Sequence, residues 1–214
     1  MSIANADRPD REEWFMAEDA LIVVDLQNDF CPGGALAVEG GDEIVPIVNR
    51  LIEDSRHVIL TQDWHPAGHS SFASSHPGKA AFQTVTMPYG EQTLWPDHCV
   101  QGSRGADFHP DLRWTTAELV LRKGFRREID SYSAFFENDH RTSTGLAGYL
   151  RERGISKVSL CGLATDFCVA FSALDAVAQG FSTSVVLAAC RGIDLNRSLA
   201  AMTRRMHDAG VQLI

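Results

Sequence analysis

The sequence lacks features that would assign it to several common classes of protein. No run of about 18 apolar residues occurs in the 214-residue chain, so we expect no transmembrane helix. Basic residues are few, since 19 lysines and arginines stand against 28 aspartates and glutamates, for a formal net charge of −9. A chain this acidic is poorly suited to binding phosphate backbones. We therefore expect neither a membrane protein nor a nucleic-acid-binding protein.

No CxxC pair occurs among the five cysteines, and their number is odd. This pattern predicts free thiols in a reducing compartment rather than a disulfide framework. The first residues, MSIANADRPDREEWFMAE, have neither the basic start nor the apolar core of a secretory signal peptide, which favours a cytoplasmic location. We expect residues 1–18 to form a flexible or loosely docked arm and residues 19–214 to form one domain.

What the sequence contains is a regular alternation of buried strands and amphipathic helices. Apolar runs predict strands over residues 20–25, 57–62, 118–123, 157–162, 182–189 and 211–214. Apolar residues at helical spacing predict helices over residues 42–54, 143–153, 166–179 and 194–209. Asp194 is the predicted N-cap of the last helix. The alternation favours a Rossmann-like three-layer α/β/α domain with a mostly parallel sheet of about six strands.

A segment rich in histidine, proline and tryptophan, residues 63–116, interrupts this alternation. An excursion of this length and composition is typical of a functional region rather than a simple connection. In open α/β sheets, ligands bind beyond the carboxyl ends of the strands. Unusual polar residues lie at those predicted ends, namely Asp25, Asp63, Lys123 and residues 162–168.

One group of residues has the composition of a metal site. Asp63, His65 and His98 offer one carboxylate and two imidazoles, which suit Zn²⁺, Fe²⁺ or Mn²⁺ and leave positions open for water or substrate. His69 and His76 are further candidates. A chain with eight histidines also carries some by chance, so this spacing alone leaves a purely structural role open.

A second group has the composition of a nucleophilic site. Cys168 follows a predicted strand at the start of a helix, where the helix dipole lowers a thiol pKa and free amides can hold an oxyanion. Asp25 is a candidate general base and Lys123 a candidate partner for the acid and the thiol. Taken singly, these residues also fit a turn cap, a solvated strand end and a small buried side chain. Because each lies at the end of a different parallel strand, the three can converge.

The motifs VDLQNDFCPGGALAV, TQDWHPAGHSSF, WPDHCVQGSRGADFHPDL, RKG and CGLATDFCV resemble those of nicotinamidases (pyrazinamidases) among the isochorismatase-like cysteine hydrolases. The resemblance covers about residues 19–214. It implies a catalytic triad of Asp25, Lys123 and Cys168. It further implies a metal site of Asp63, His65 and His98, with His69 as an uncertain extra ligand.

The resemblance also implies the surroundings of the substrate. The backbone amides of Ala164 and Cys168 would form the oxyanion hole, beside a cis peptide at Leu163–Ala164. Phe30 and Trp95 would form the walls around a pyridine ring, with Tyr132 nearby.

The activity that the resemblance implies is hydrolysis of nicotinamide to nicotinate and ammonia through a thioester on Cys168. One divalent ion per chain, zinc ahead of iron or manganese, would orient the ring nitrogen. Nicotinamide is the expected partner, pyrazinamide is an expected second substrate, and a homo-oligomer is left open.

Three alternatives compete with this activity. Another isochorismatase-like hydrolase would typically lack the metal trio. A mononuclear non-haem iron enzyme would usually have an all-β fold, and it leaves the cysteine and the lysine unexplained. A non-enzymatic binding module would be favoured by the loss of a triad residue, and none is missing.

Overall fold

Apolar runs form the strands of this protein, and apolar stripes at helical spacing form its helices. The computed structural model describes residues 18–214, so the predicted arm over residues 1–18 lies outside the described residues except for Glu18. The strands are β1 (Asp19–Val24), β2 (His57–Asp63), β3 (Thr84–Met87), β4 (Gly90–Thr93), β5 (Leu119–Lys123), β6 (Lys157–Leu163), β7 (Ser182–Arg191) and β8 (Gln212–Leu213). The helices are α1 (Val45–Asp54), α2 (Leu146–Glu152), α3 (Ala170–Ala178) and α4 (Ser198–Asp208). Within residues 18–214, no helix has both the length and the apolar character needed to cross a membrane.

Six strands form one parallel sheet in the order β5-β2-β1-β6-β7-β8. Every residue of the central strand β1 is buried, as expected for a parallel strand covered on both faces. Each strand of this sheet corresponds to one of the six predicted apolar runs. The predicted α/β fold with a parallel sheet of about six strands is therefore confirmed.

The direction of the strand order changes between β1 and β6. The chain leaves β1 toward β2 on one side of the sheet and leaves β6 toward β7 on the other side. Right-handed crossovers then put α1 on one face and α3 and α4 on the opposite face, which gives the three layers. Such a change of direction opens a crevice at the carboxyl ends of the two strands. Asp25 follows β1, and residues 164–168 follow β6, so both border this crevice.

Two local features differ from the sequence-based expectation. The excursion over residues 63–116 contains an antiparallel hairpin of β3 and β4, which no apolar alternation indicated. Asp194 is not the N-cap of α4, because Asp194, Asn196 and Arg197 adopt left-handed backbone angles and the helix begins only at Ser198. The Asp194 carboxylate nevertheless accepts a hydrogen bond of 3.2 Å from the backbone N–H of Leu199 in the first helical turn.

Gly162 permits the close contact between β6 and β1 at the crevice. Its φ is +117°, a value that residues with side chains rarely adopt. A Cβ atom at this position would lie 2.1 Å from the carbonyl oxygen of Val24, the last residue of β1. The glycine thus sets the spacing of the two strands that carry Asp25 and the segment leading to Cys168.

We expect Gly162→Ala to destabilise the fold by about 3 kcal/mol or more, since backbone atoms of β1 must move. Gly148→Ala in α2 is the matched control, because an added Cβ there meets no heavy atom of the described residues within 4 Å. Alanine should stabilise that helix by up to about 1 kcal/mol. Urea denaturation of both variants measures the effect, and equal midpoints would contradict this account of the strand contact.

Candidate active site

The four predicted strand-end residues meet at the carboxyl edge of the sheet. Asp63 and Lys123 end the neighbouring strands β2 and β5 and are paired in register. Asp25 follows β1, and Cys168 lies in a π-helical turn, Thr165–Val169, between β6 and α3. All four side chains are buried. The sheet thus brings together residues that are up to 143 positions apart in the sequence, counted from Asp25 to Cys168.

Lys123 lies at the centre of this group and is only 1% exposed. Its Nζ is 2.8 Å from Asp25 Oδ2 and 2.5 Å from Asp63 Oδ1. The same nitrogen lies 2.9 Å from the carbonyl oxygen of Ser131 and 3.4 Å from Cys168 Sγ. A buried ammonium group is stable only when paired and hydrogen-bonded, and this one has both kinds of partner.

Burial and charge set the protonation states of the cluster. Burial works to lower the pKa of Lys123, but Asp25 and Asp63 outweigh it and raise that pKa well above its usual range. Burial also works to raise the pKa of Asp63, yet Lys123 and His65 hold it well below its usual range. The pKa of Asp25 is raised, mainly by burial and against the opposing effect of Lys123. Lys123 and Asp63 are therefore charged, whereas Asp25 is adapted to accept a proton.

Thr61 orients Asp25, and sequence reasoning did not identify it. Its hydroxyl donates a hydrogen bond of 2.6 Å to Asp25 Oδ1 and accepts one of 3.2 Å from the Asp25 backbone N–H. Asp25 has a left-handed backbone with φ of +45°, which turns the chain out of β1 directly after Val24. A polar residue within the otherwise apolar part of β2 was the only available signal, and one such threonine is too common to single out.

Cys168 lies at the predicted turn between a strand and a helix. Burial raises the pKa of its thiol well above the usual range, and the opposing effect of Lys123 does not compensate. The expectation that the helix start lowers this pKa stays a prediction, and burial works against it. The expected cis peptide is present at Leu163–Ala164, immediately before the turn that carries the cysteine.

Asp63, His65 and His98 form a compact set of donor atoms. Asp63 Oδ2 lies 3.5 Å from His65 Nε2 and 3.6 Å from His98 Nε2. Each ring donates its Nδ1–H to a backbone carbonyl, His65 to Gly124 at 2.9 Å and His98 to Pro96 at 2.8 Å. In the neutral rings, these bonds leave both Nε2 atoms as acceptors directed toward the carboxylate, the arrangement that ligating histidines usually have.

The donor set fits a divalent metal ion. Zinc bonds of about 2.0–2.1 Å at tetrahedral angles separate neighbouring donors by about 3.3 Å, close to the observed spacing. A ligating carboxylate must be deprotonated, and the lowered pKa of Asp63 meets that requirement. A Cβ atom at Gly124 would lie 2.4 Å from the His65 ring, so this glycine leaves room for the ligand.

His69 and His76 lie outside this set of three donors. His69 Nε2 donates to the Arg126 carbonyl at 2.9 Å, and its Nδ1 accepts from the Ser71 hydroxyl at 2.7 Å. Both ring nitrogens are thus used within the protein. His76 Nε2 bonds the carbonyl of Ser70 at 2.8 Å. His76 thus has a structural partner. His69 also forms a second group of possible ligands with His65 and Asp130, so its role as an extra ligand stays a prediction.

A small, largely apolar cavity connects the thiol with the metal-binding set. It is lined by Phe30, Leu36, Asp63, Trp95, His98, Asp130, Tyr132, Ala164, Phe167, Cys168 and Ile193. The three predicted wall residues are all among these. Trp95 is fixed by a hydrogen bond of 3.1 Å from its Nε1 to the Tyr132 hydroxyl, and its ring meets Phe167 edge to face.

Four wall residues were not predicted, namely Leu36, Asp130, Phe167 and Ile193. Phe167 directly precedes the cysteine and lay unrecognised in the motif CGLATDFCV. Asp130 accepts hydrogen bonds of 2.8 Å from the Ser131 backbone and 2.9 Å from Gln92 Nε2, and so joins the wall to the hairpin. Asp130 lies in a loop without recognisable periodicity, so no sequence pattern singles it out.

A buried acid, lysine and thiol at the crevice of a parallel sheet, beside a cavity, define a hydrolase built on an α/β fold. The profile of the Isochorismatase domain matches residues 19–214. The chain belongs to this family.

Two relatives that match most of the chain are named as nicotinamidases. A nicotinamidase of Acinetobacter baylyi is 56% identical over 195 residues, which is 91% of each chain. A nicotinamidase/pyrazinamidase structure from Acinetobacter baumanii superposes with a TM-score of 0.92 at 57% identity, covering 93% of this chain and 96% of that one.

Two further structures carry ligands. PnC1 from L. infantum, in complex with nicotinate, has a TM-score of 0.81 at 40% identity and covers 93% of each chain. A pyrazinamidase from Pyrococcus horikoshii, in complex with zinc, has a TM-score of 0.73 at 35% identity, covering 92% of this chain and 98% of that one.

We expect His98→Ala to lose most of the bound divalent metal, since one of three protein donors disappears. His207→Ala is the control, because that side chain is exposed and remote from the donor set. Elemental analysis of both variants after dialysis against a zinc buffer gives the metal content per chain. Full metal content in His98→Ala would show that the ligand set is wrong.

Proposed function

We propose that the protein hydrolyses nicotinamide to nicotinate and ammonia, and that pyrazinamide is a second substrate. The observation that carries this proposal is the contact of Cys168 with Lys123, beside an apolar cavity that is lined both by Cys168 and by Asp63 and His98 of the candidate metal-binding set. The nicotinamidase relatives and the nicotinate-bound structure support the substrate class. The product nicotinate is a precursor that NAD salvage would consume.

The cavity suits a flat heteroaromatic amide. Phe30 and Trp95 would face the ring, with Tyr132 behind Trp95, so that apolar surface replaces water around it. A divalent ion held by Asp63, His65 and His98 would supply a Lewis-acidic contact for the ring nitrogen. Zinc is the first choice, supported by the zinc-bound relative, and iron or manganese suit the same donors.

Cys168 would act as the nucleophile and Asp25 as the base that activates it. Because burial raises the pKa of the thiol and favours its protonated form, the proton must leave as Sγ attacks the amide carbon. The raised pKa of Asp25 brings this carboxylate closer to the thiol in proton affinity, so the transfer is less unfavourable than to an ordinary aspartate. Lys123 stays charged throughout and stabilises the thiolate that forms 3.4 Å away.

The remaining steps return every group to its starting state. The amides of Ala164 and Cys168 would hold the oxyanion of the tetrahedral intermediate. Asp25 gives its proton to the amide nitrogen, the C–N bond breaks, and ammonia leaves a thioester on Cys168. Asp25 then takes a proton from water, the water oxygen attacks the thioester, and the C–S bond breaks. The sulfur recovers the proton from Asp25, and the product acid gives its own proton to solvent and leaves as nicotinate.

A non-haem iron oxygenase is the second candidate, from a different class of enzyme, because such enzymes also bind their metal through two histidines and one carboxylate. That chemistry gives no role to the buried contact of Lys123 with the thiol and with Asp25. Hydrolysis uses all of these groups, and we therefore favour it.

Purified protein should release ammonia from nicotinamide, and Cys168→Ala should reduce that release to background while the variant still binds nicotinamide. Cys190→Ala is the matched control, because this buried cysteine lies in β7 and does not line the cavity. It should keep most of its activity. An ammonia assay together with calorimetric titration of nicotinamide measures both properties. Substantial turnover by Cys168→Ala would overturn the nucleophile assignment.

Nicotinamide should be cleaved far better than benzamide, which has the same shape but no ring nitrogen. A site built for a polar group penalises the analogue that lacks it, here by about 10²-fold or more in kcat/KM. In His98→Ala, the ratio of kcat/KM for nicotinamide to that for benzamide should fall, because the metal that would contact the ring nitrogen is lost. Equal kcat/KM for the two amides in the wild-type protein would remove ring-nitrogen recognition from the proposal.

A further inference from the structure

Asp166 is a buried carboxylate in the nucleophile turn to which the reaction above gives no role. It lies two residues before Cys168 and is 1% exposed. Among the described residues 18–214, its side chain accepts hydrogen bonds from one segment, residues 193–198. Oδ1 accepts from the Ile193 backbone at 2.9 Å, Oδ2 accepts from the Asp194 backbone at 2.8 Å, and the Ser198 hydroxyl also donates to Oδ2.

The segment that Asp166 holds has an unfavourable backbone. Asp194, Asn196 and Arg197 have φ values of 55°, 54° and 67°, so three of four consecutive residues are left-handed without being glycine. Such conformations persist only where the surroundings enforce them. Asp166 holds the start of the segment through the backbone N–H groups of Ile193 and Asp194, and it holds the end through the Ser198 hydroxyl.

The same segment supplies part of the substrate cavity. Ile193 lines the cavity together with Phe167 and Cys168, which belong to the turn that carries Asp166. The backbone N–H of Ile193 is itself bonded to Asp166. One carboxylate therefore fixes the position of the Ile193 wall relative to the nucleophile.

We propose that Asp166 is a positioning residue for substrate binding, which holds residues 193–198 against the nucleophile turn so that Ile193 closes the cavity over the ring. This inference rests on the proposed function for its substrate. The carboxylate touches none of the reacting groups, so its removal should weaken binding of the ring more than it slows the chemical steps.

The direct test is Asp166→Asn, which keeps the shape of the side chain but replaces one of its two acceptor oxygens by a donor. Hydrogen–deuterium exchange of a peptide covering residues 192–199 should become faster, while peptides from β1 and β6 remain protected. KM for nicotinamide should rise by about tenfold, with kcat within about threefold of the wild-type value. Unchanged exchange in this peptide, or a loss confined to kcat, would overturn the proposal.

A double-mutant cycle separates positioning from general loss of stability. Ile193→Ala removes the wall but keeps the hydrogen bonds to Asp166, and it should raise KM to a similar extent. If Asp166 acts through Ile193, the KM of the double variant should be no higher than that of the single variants. If the two residues act independently, their fold increases in KM should multiply. Multiplied effects would refute the route through Ile193.

Ser198→Ala covers the case in which Asp166→Asn does not fold. It removes one donor to Asp166 and should give a smaller increase of exchange and of KM in the same direction. No change in either would contradict the proposal. If the wild-type protein fails to hydrolyse nicotinamide, the proposed function is wrong, and the exchange comparison still decides whether Asp166 holds the segment.

Discussion

One buried ammonium group, that of Lys123, is the interaction on which the rest of the site depends. Two carboxylates, Asp25 and Asp63, are buried within 2.8 Å and 2.5 Å of it. Without that positive charge, two like charges would face each other in a region of low dielectric, and at least one would have to take up a proton. The parallel sheet makes the arrangement possible, because three adjacent strands end at the same edge.

The lysine also divides the site into two halves with different tasks. On one side, Asp25 has a raised pKa and lies with the thiol, where a proton must move. On the other side, Asp63 has a lowered pKa and lies with two imidazoles, where a fixed negative charge is needed to hold a cation. One residue type, aspartate, thus serves acid–base chemistry at position 25 and metal binding at position 63, because the two carboxylates have different neighbours.

Much of this organisation could be predicted from the sequence. The apolar runs predicted the six strands of the parallel sheet and their places along the chain, and polar residues at the strand ends indicated where the site lies. The resemblance to nicotinamidases connected separate motifs whose contacts no periodicity reveals, including the cis peptide before Ala164.

Other features could not be predicted, for physical reasons. The pKa of Cys168 is raised mainly by burial, which depends on how the whole chain packs around the thiol. Thr61 and Asp130 become recognisable only when long-range folding puts them beside Asp25 and the cavity. The left-handed residues before α4 are stabilised by Asp166 from another element, so local capping rules put the helix start too early.

The central claim is that hydrolysis passes through a covalent bond to Cys168. Mass spectrometry of wild-type protein, quenched at a series of times during turnover of saturating nicotinamide and then digested, tests it most directly. The account predicts a nicotinoyl group on the peptide that contains Cys168 and on no peptide of the other four cysteines. Steady release of ammonia with Cys168 unmodified at every time, or an acyl group on a different residue, would contradict it.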